Sequence, residues 1–171
     1  TASFGKILHA TGWKIGYIIA PENWTHEIRK VHQYDVFSTG APFQEGIARF
    51  LSSASGQEHL SELAPFYQAK RDRLLSGLAG SPWRFEPAEA GYFQVLDYSP
   101  FDERDDRTVT QSWCRQPEGL GIALIPLSPF YPAQNSSLKP PQKVRVCFAK
   151  NRATLDEGIQ RLLQLPFLQK K

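Results

Sequence analysis

Three side chains close together in sequence could handle a phosphorylated carbonyl compound. The segment Thr1-Ala2-Ser3-Phe4-Gly5-Lys6-Ile7-Leu8-His9-Ala10-Thr11-Gly12-Trp13-Lys14-Ile15-Gly16-Tyr17 sets a serine, a lysine three residues on and a second cation eight residues later among glycines and aromatics. A lysine that condenses with an aldehyde must first lose its proton, so its pKa must fall well below the free value of about 10.4. Burial and a neighbouring cation both lower it. Lys6, flanked by Phe4-Gly5 and Ile7-Leu8 with Lys14 close in sequence, is therefore expected to be desolvated. Gly5 would let the backbone approach a flat ring closely. Ser3 offers a hydroxyl, and Lys14 a charge, to one phosphate group. A lysine in a glycine-rich turn, taken alone, is a solvated surface residue; the whole string carries the chemical reading.

A second chemical feature is an arginine inside an apolar run, Val144-Arg145-Val146-Cys147-Phe148-Ala149. Period two places Val144, Val146 and Phe148 on one face and Arg145, Cys147 and Ala149 on the other. A guanidinium among such neighbours is costly unless an anion meets it. Its planar fork matches a carboxylate with two parallel hydrogen bonds. That carboxylate belongs either to an acidic side chain of the same chain or to a bound ligand, and the strand alone does not choose.

The surrounding pattern predicts the elements that hold these groups. Tyr17-Ile18-Ile19-Ala20, closed by Pro21, reads as a buried strand. A helical period runs from about Asn23 to Val36 and is broken by Ser38-Thr39-Gly40. Pro42 suits a first helical turn, and Phe43, Ile47, Phe50 and Leu51 form the apolar stripe of the next helix. Ser55-Gly56-Gln57-Glu58 has capping-box spacing ahead of a long helix with Leu60, Leu63, Phe66, Tyr67, Leu74, Leu75 and Leu78 inward. Gly80-Ser81-Pro82 ends it. Trp83-Arg84-Phe85 and Tyr92 to Leu96 read as strands, the second after a Gly91 turn. A charged loop, Asp102 to Arg107, leads to a shorter helix capped at Thr108. Gly121 to Pro126 is a strand running into a proline-rich loop, Pro126 to Pro141. Lys143 to Ala149 is the last strand, and Thr154 caps a final helix bearing Ile159, Leu162, Leu163 and Leu165. Helices followed by mixed strands and helices indicate an α+β fold.

Composition excludes several classes. With 41% hydrophobic and 22% charged residues and a mean hydropathy of −0.40, the chain is that of a soluble globular protein with one ordinary core. The net charge of +3 is too small and scattered for nucleic-acid binding. No apolar stretch approaches the roughly 20 residues of a membrane span, and the start does not read as a signal peptide. Cys114 and Cys147 lie far apart in apolar contexts and read as buried free thiols in a reducing, cytoplasmic setting. His9, His26, His32 and His59 show no ligand spacing, so no metal is expected. There is no nucleophile elbow and no dinucleotide fingerprint. The chain contains no methionine and opens beside its strongest motif, which reads as the C-terminal part of a larger protein.

The Ser3–Tyr17 string and the Arg145-Val146-Cys147-Phe148 strand resemble the class I pyridoxal-phosphate aminotransferases, in the branch acting on methionine, glutamine and kynurenine. The resemblance implies the C-terminal part of a fold type I transferase: residues 1–50 as the tail of the large cofactor-binding domain with interdomain helices, and 51–171 as the small α+β domain. It implies pyridoxal 5'-phosphate as cofactor, Lys6 as the Schiff-base lysine, and Ser3 and Lys14 as phosphate ligands. Many relatives carry arginine where Lys14 stands, though this branch commonly uses lysine. Arg145 would clamp the substrate carboxylate. Gly91-Tyr92-Phe93 resembles a strand start near the substrate entrance, and Leu127-Ser128-Pro129-Phe130-Tyr131 a loop lining the side-chain pocket, so Tyr92 and Phe130 would touch substrate. Each also reads as core aromatics beside a turn. Phe37-Ser38-Thr39 would reach the neighbouring site of a homodimer. The expected activity is amino-group transfer between an amino acid and a 2-oxo acid, incomplete in this chain. The alternatives are a carbon–sulfur lyase of the same fold type and a non-enzymatic effector-binding domain.

Overall fold

The computed structural model describes residues 1–115, 119–131 and 142–168, which fall into two compact units, Thr1–Ala64 and Pro65–Lys171. The first begins with a short hairpin, β1 (Ala2–Ser3) antiparallel to β2 (Gly16–Tyr17), with Ala2 opposite Tyr17 and Ser3 opposite Gly16. Between the strands lie a one-turn helix, α1 (Phe4–Ile7), and a 3-10 turn, Thr11–Trp13. Helices α2 (Glu22–Asp35) and α3 (Ala41–Ser52) follow, the latter entered through Pro42 as expected. The long helix α4 (Ala54–Leu78) contains the boundary between the units.

The predicted strand at Tyr17–Ala20 is not a buried one. Pairing stops at Tyr17, and Ile18 and Ile19 are exposed, Ile19 by 83%. An apolar β-branched run is buried only where layers cover both its faces. Among the described residues β2 pairs with β1 alone.

The second unit holds the main core. A three-stranded antiparallel sheet, ordered β3 (Phe93–Asp97), β5 (Lys143–Cys147), β4 (Ile125–Pro126), packs with α5 (Asp106–Cys114), α6 (Arg152–Leu168) and the end of α4. Leu96 lies opposite Val144, and both are fully buried with Phe148 in the cluster around Leu74, Leu78, Trp83 and Leu162. The Trp83 indole donates to the Leu162 carbonyl at 2.9 Å, while the Nε1 of the other core indole, Trp113, is buried without a partner among the described residues. The expected alternation of β5 is seen: Val144 and Phe148 face the core, Arg145 the other side.

Local polar bonding moved three helix starts. Ser53, not Ser55, caps α4, its Oγ accepting from Gly56 N at 3.1 Å. Asp105 caps α5 by accepting from the Arg107 and Thr108 amides, so the helix takes in residues expected to be loop. Asn151 caps α6, accepting from Thr154 N at 2.8 Å. In each case the earlier side chain reaches the orphan amides first, as cap geometry allows. Trp83–Phe85 contributes a single bridge, Arg84 to Asp97, rather than a strand. The strand expected from Gly121 is confined to Ile125–Pro126, and most of the proline-rich loop lies outside the described residues. Both cysteines are free, but Cys114 is exposed rather than buried and Cys147 is half-buried. Among the described residues no helix is long and apolar enough to cross a membrane.

Candidate active site

The hairpin of the first unit gathers Ser3, Lys6 and Lys14. Phe4 N donates to Ile15 O at 3.1 Å, which draws the segment carrying Lys14 back beside the start of α1. Gly16 is required there, because a Cβ on it would lie 2.5 Å from the Ala2 carbonyl oxygen. Ser3 caps α1, its Oγ accepting from Gly5 N at 3.2 Å. A hydroxyl used as an acceptor keeps its own proton to donate. Lys14 ends the 3-10 turn in the left-handed region, with φ of 56°. His9 shares that φ. Non-glycine residues in this region cost about 1–3 kcal/mol each, and such strain clusters where side chains must be aimed.

Lys6 is exposed, against the expectation that it would be desolvated. A one-turn helix has room for one inward position, and Gly5 fills it. A Cβ on Gly5 would meet Thr11 Cα at 3.1 Å and Ser3 Oγ at 3.3 Å, so its bareness serves internal packing. The hairpin is tied to the helices of its own unit. His59 of α4 donates from Nε2 to the Ile7 carbonyl at 2.9 Å, its ring edge-on to His9 and Phe50. Trp13 packs against Phe43, with centroids 5.2 Å apart.

In the second unit Arg145 lies between two aromatic rings. Its Cζ is 4.1 Å from the Phe93 centroid and 4.8 Å from that of Phe130. Its Nε is buried without a hydrogen-bond partner, and among the described residues no acidic side chain pairs with it. The internal salt bridge that the strand pattern allowed is thus not found there. The Tyr92 ring packs at a tilt against Phe93, with centroids 4.7 Å apart, and against Tyr67, at 5.4 Å. Burial, then Tyr92 and Cys147, push the Tyr67 hydroxyl above its usual pKa. A guanidinium beside two rings, with its Nε unspent and no acidic partner among the described residues, is suited to a planar carboxylate.

The match to known proteins covers both motifs. Residues 1–162 fit the model of aminotransferase class I and II. The chain belongs to that family. It is 42% identical over 164 residues to a methionine aminotransferase of Escherichia coli, covering 96% of this chain and 40% of that protein. It is 32% identical to a kynurenine–oxoglutarate transaminase of Dictyostelium discoideum, covering 95% and 40%. The crystal structure of an E. coli methionine aminotransferase is similar, with TM-score 0.79 over 95% of this chain and 40% of that one. The aromatic aminotransferase of Pyrococcus horikoshii shares the fold at 17% identity, with TM-score 0.81 over 98% of this chain and 42% of that one. The chain therefore spans about 40% of the length of these class I relatives, as a partial fold type I structure of mixed helix and strand.

Within this member of the family the structure gathers Ser3, Lys6 and Lys14 in one unit and Tyr92, Phe130 and Arg145 in the other. The sequence places Phe93 in the strand start Gly91-Tyr92-Phe93 and assigns the substrate contact to Tyr92, but it is the Phe93 ring that lies against the guanidinium. Sequence reasoning passed over His59, because the search among histidines was for metal-ligand spacing while the bond it makes is to a carbonyl 52 residues away. Among the described residues no cluster of three metal-ligating side chains occurs.

Proposed function

We propose that the protein to which these residues belong transfers an amino group between an amino acid and a 2-oxo acid, with pyridoxal 5'-phosphate as cofactor. The observation that carries the reading is the hairpin, which brings an amine, a hydroxyl and a second ammonium together on one short piece of backbone. That donor set fits a phosphorylated aldehyde: an amine for the carbonyl carbon, and a hydroxyl with a point charge for the phosphate. When bound, the cofactor supplies an aldehyde that takes the amino group and a ring that draws electrons from the substrate α-carbon. Ser3 Oγ donates to the phosphate and Lys14 Nζ neutralises it. Lys6 Nζ would hold the cofactor between turnovers, then act as general base and acid, taking the proton from the substrate α-carbon and passing it to the former aldehyde carbon rather than back to the α-carbon. Arg145 grips the substrate carboxylate, while Tyr92 and Phe130 line the side-chain pocket.

Similarity to methionine and kynurenine transaminases favours transfer over carbon–sulfur lyase chemistry and over a purely binding role. It also favours a large apolar, aromatic or sulfur-containing substrate. The residues assigned here include no acidic partner for a ring nitrogen, so the 171-residue chain by itself is proposed not to transaminate. The full protein is proposed to be a cytoplasmic homodimer, with Phe37, 80% exposed on a left-handed backbone, reaching toward the neighbouring site.

Borohydride reduction in the presence of pyridoxal 5'-phosphate, followed by peptide mass analysis of the full-length protein, tests the lysine directly. The phosphopyridoxyl mass is expected on Lys6 and not on Lys14. Labelling spread over many lysines with none on Lys6 would overturn the assignment.

A further inference from the structure

The turn that carries Phe130, Ser128–Phe130, is anchored at its first residue. Ser128 N donates to Asp106 Oδ2 at 2.5 Å, and Arg107 Nε donates to Ser128 Oγ at 3.2 Å. Asp106 is 1% exposed, and its other oxygen, Oδ1, is buried without a partner. Burying a carboxylate half-satisfied is costly. Helix capping does not account for that cost, because Asp105 already accepts from the amides of Arg107 and Thr108. The first turn of α5 lowers it by its dipole, and the Ser128 amide does so by a charge-assisted bond.

The Phe130 ring gains little from burial, being 61% exposed, and yet it lies 4.8 Å from the Arg145 Cζ. What fixes it is the turn beneath it. Arg145 in turn has an unpartnered Nε and no acidic side chain holding it among the described residues. The contacts given for its guanidinium are those with the two rings, whose faces attract a cation.

We infer that Asp106 is a positioning residue: by fixing the Ser128 amide it holds the Phe130 ring against Arg145, and so sets the plane in which the guanidinium meets a ligand carboxylate. The contact chain stands on this geometry. Its consequence for substrate rests on the carboxylate role proposed above.

NMR of the full 171-residue chain reads the contact without any activity. In the wild type the Arg145 side-chain resonances are expected to be displaced upfield by the ring currents of Phe93 and Phe130. Phe130→Leu, a change at an exposed side chain, defines the Phe130 share. Asp106→Ala is expected to lose that same share, while Asp106→Asn, which keeps an oxygen for the Ser128 amide, retains it. In a Phe130→Leu background Asp106→Ala should move Arg145 no further, and the Trp83 indole resonance should hold throughout. If the alanine variant does not fold, Asp106→Leu fills the volume without an acceptor and gives the same reading. Unmoved Arg145 resonances in a folded Ala or Leu variant overturn the inference. In the full-length protein the amino-acid KM should rise about two- to fivefold with kcat held, the change expected for weakening one cation–ring contact. A moved resonance with no change in KM overturns the carboxylate role and leaves the positioning intact.

Discussion

Arg145 sits over the ring of Phe93 although Phe93 faces Cys147, and Arg145 faces Val95, in the ladder between β3 and β5. The two are diagonal neighbours on one face of the sheet, a separation that a long side chain and an aromatic ring bridge readily. The sheet thus presents a guanidinium over an aromatic ring. Replacing it by lysine keeps the charge and loses the planar fork. Arg145→Lys in the full-length enzyme should raise the KM for the amino acid about tenfold or more, the weight of a charged hydrogen bond, with a smaller effect on kcat. Steady-state kinetics with both substrates varied decides it; unchanged KM in a folded enzyme would remove Arg145 from the carboxylate site.

Gly16 permits the close approach on which the hairpin depends. A methyl group would lie 2.5 Å from the Ala2 carbonyl oxygen, a contact with rigid backbone rather than with a side chain that can swing away. Gly16→Ala should therefore part Ser3 from Gly16 and cost about 1–3 kcal/mol, typical of forced overpacking. Denaturant titration measures the loss. Amide exchange should localise it to residues 2–17, with the second unit unaffected.

Legibility in the sequence followed how local each signal was. The motif at Ser3, Lys6 and Lys14 could be read because its parts lie within one hairpin, and the helix at Pro42 because its start is a local chain rule. Arg145 could be read because period two fixes its face without knowledge of any partner. Phe93 could not, since its place over Arg145 depends on the register between strands about fifty residues apart in the chain. The exposure of Lys6 was missed for a related reason: apolar neighbours in sequence suggested burial, but the one inward position of α1 went to Gly5. The cap positions differ from expectation by two or three residues because several polar side chains compete for the same amides and only geometry selects among them.

His59 joins α4 to the segment that carries Lys6. Its Nε2–H donates to the Ile7 carbonyl at 2.9 Å, and its ring contacts His9 and Phe50 edge-on. His59→Phe keeps a ring and loses the donor. It should cost about 1 kcal/mol, the net value of one hydrogen bond, and should raise amide exchange in residues 4–8 above that of α3. Exchange that stays unchanged in this stretch would show that the carbonyl bond contributes nothing to holding the lysine segment.

Tyr98 gives the second unit a sensitivity to alkali. The residue is fully buried, and its hydroxyl donates to the Arg104 carbonyl at 2.9 Å. Burial, then the charges of Asp106 and Asp102, raise its pKa well above the ordinary value. A phenol whose folded pKa exceeds its unfolded one, about 10, favours the fold fully below that unfolded value. The contribution is lost as pH rises from there toward the folded pKa, because the unfolded chain gives up the proton first. Thermal unfolding followed from pH 8 to pH 12 should therefore show stability falling above about pH 10. Tyr98→Phe should lose about 1 kcal/mol at neutral pH with the hydrogen bond, and should flatten the alkaline decline. An equal decline in both proteins would assign it to other groups, so the comparison of slopes, rather than of midpoints, carries the test.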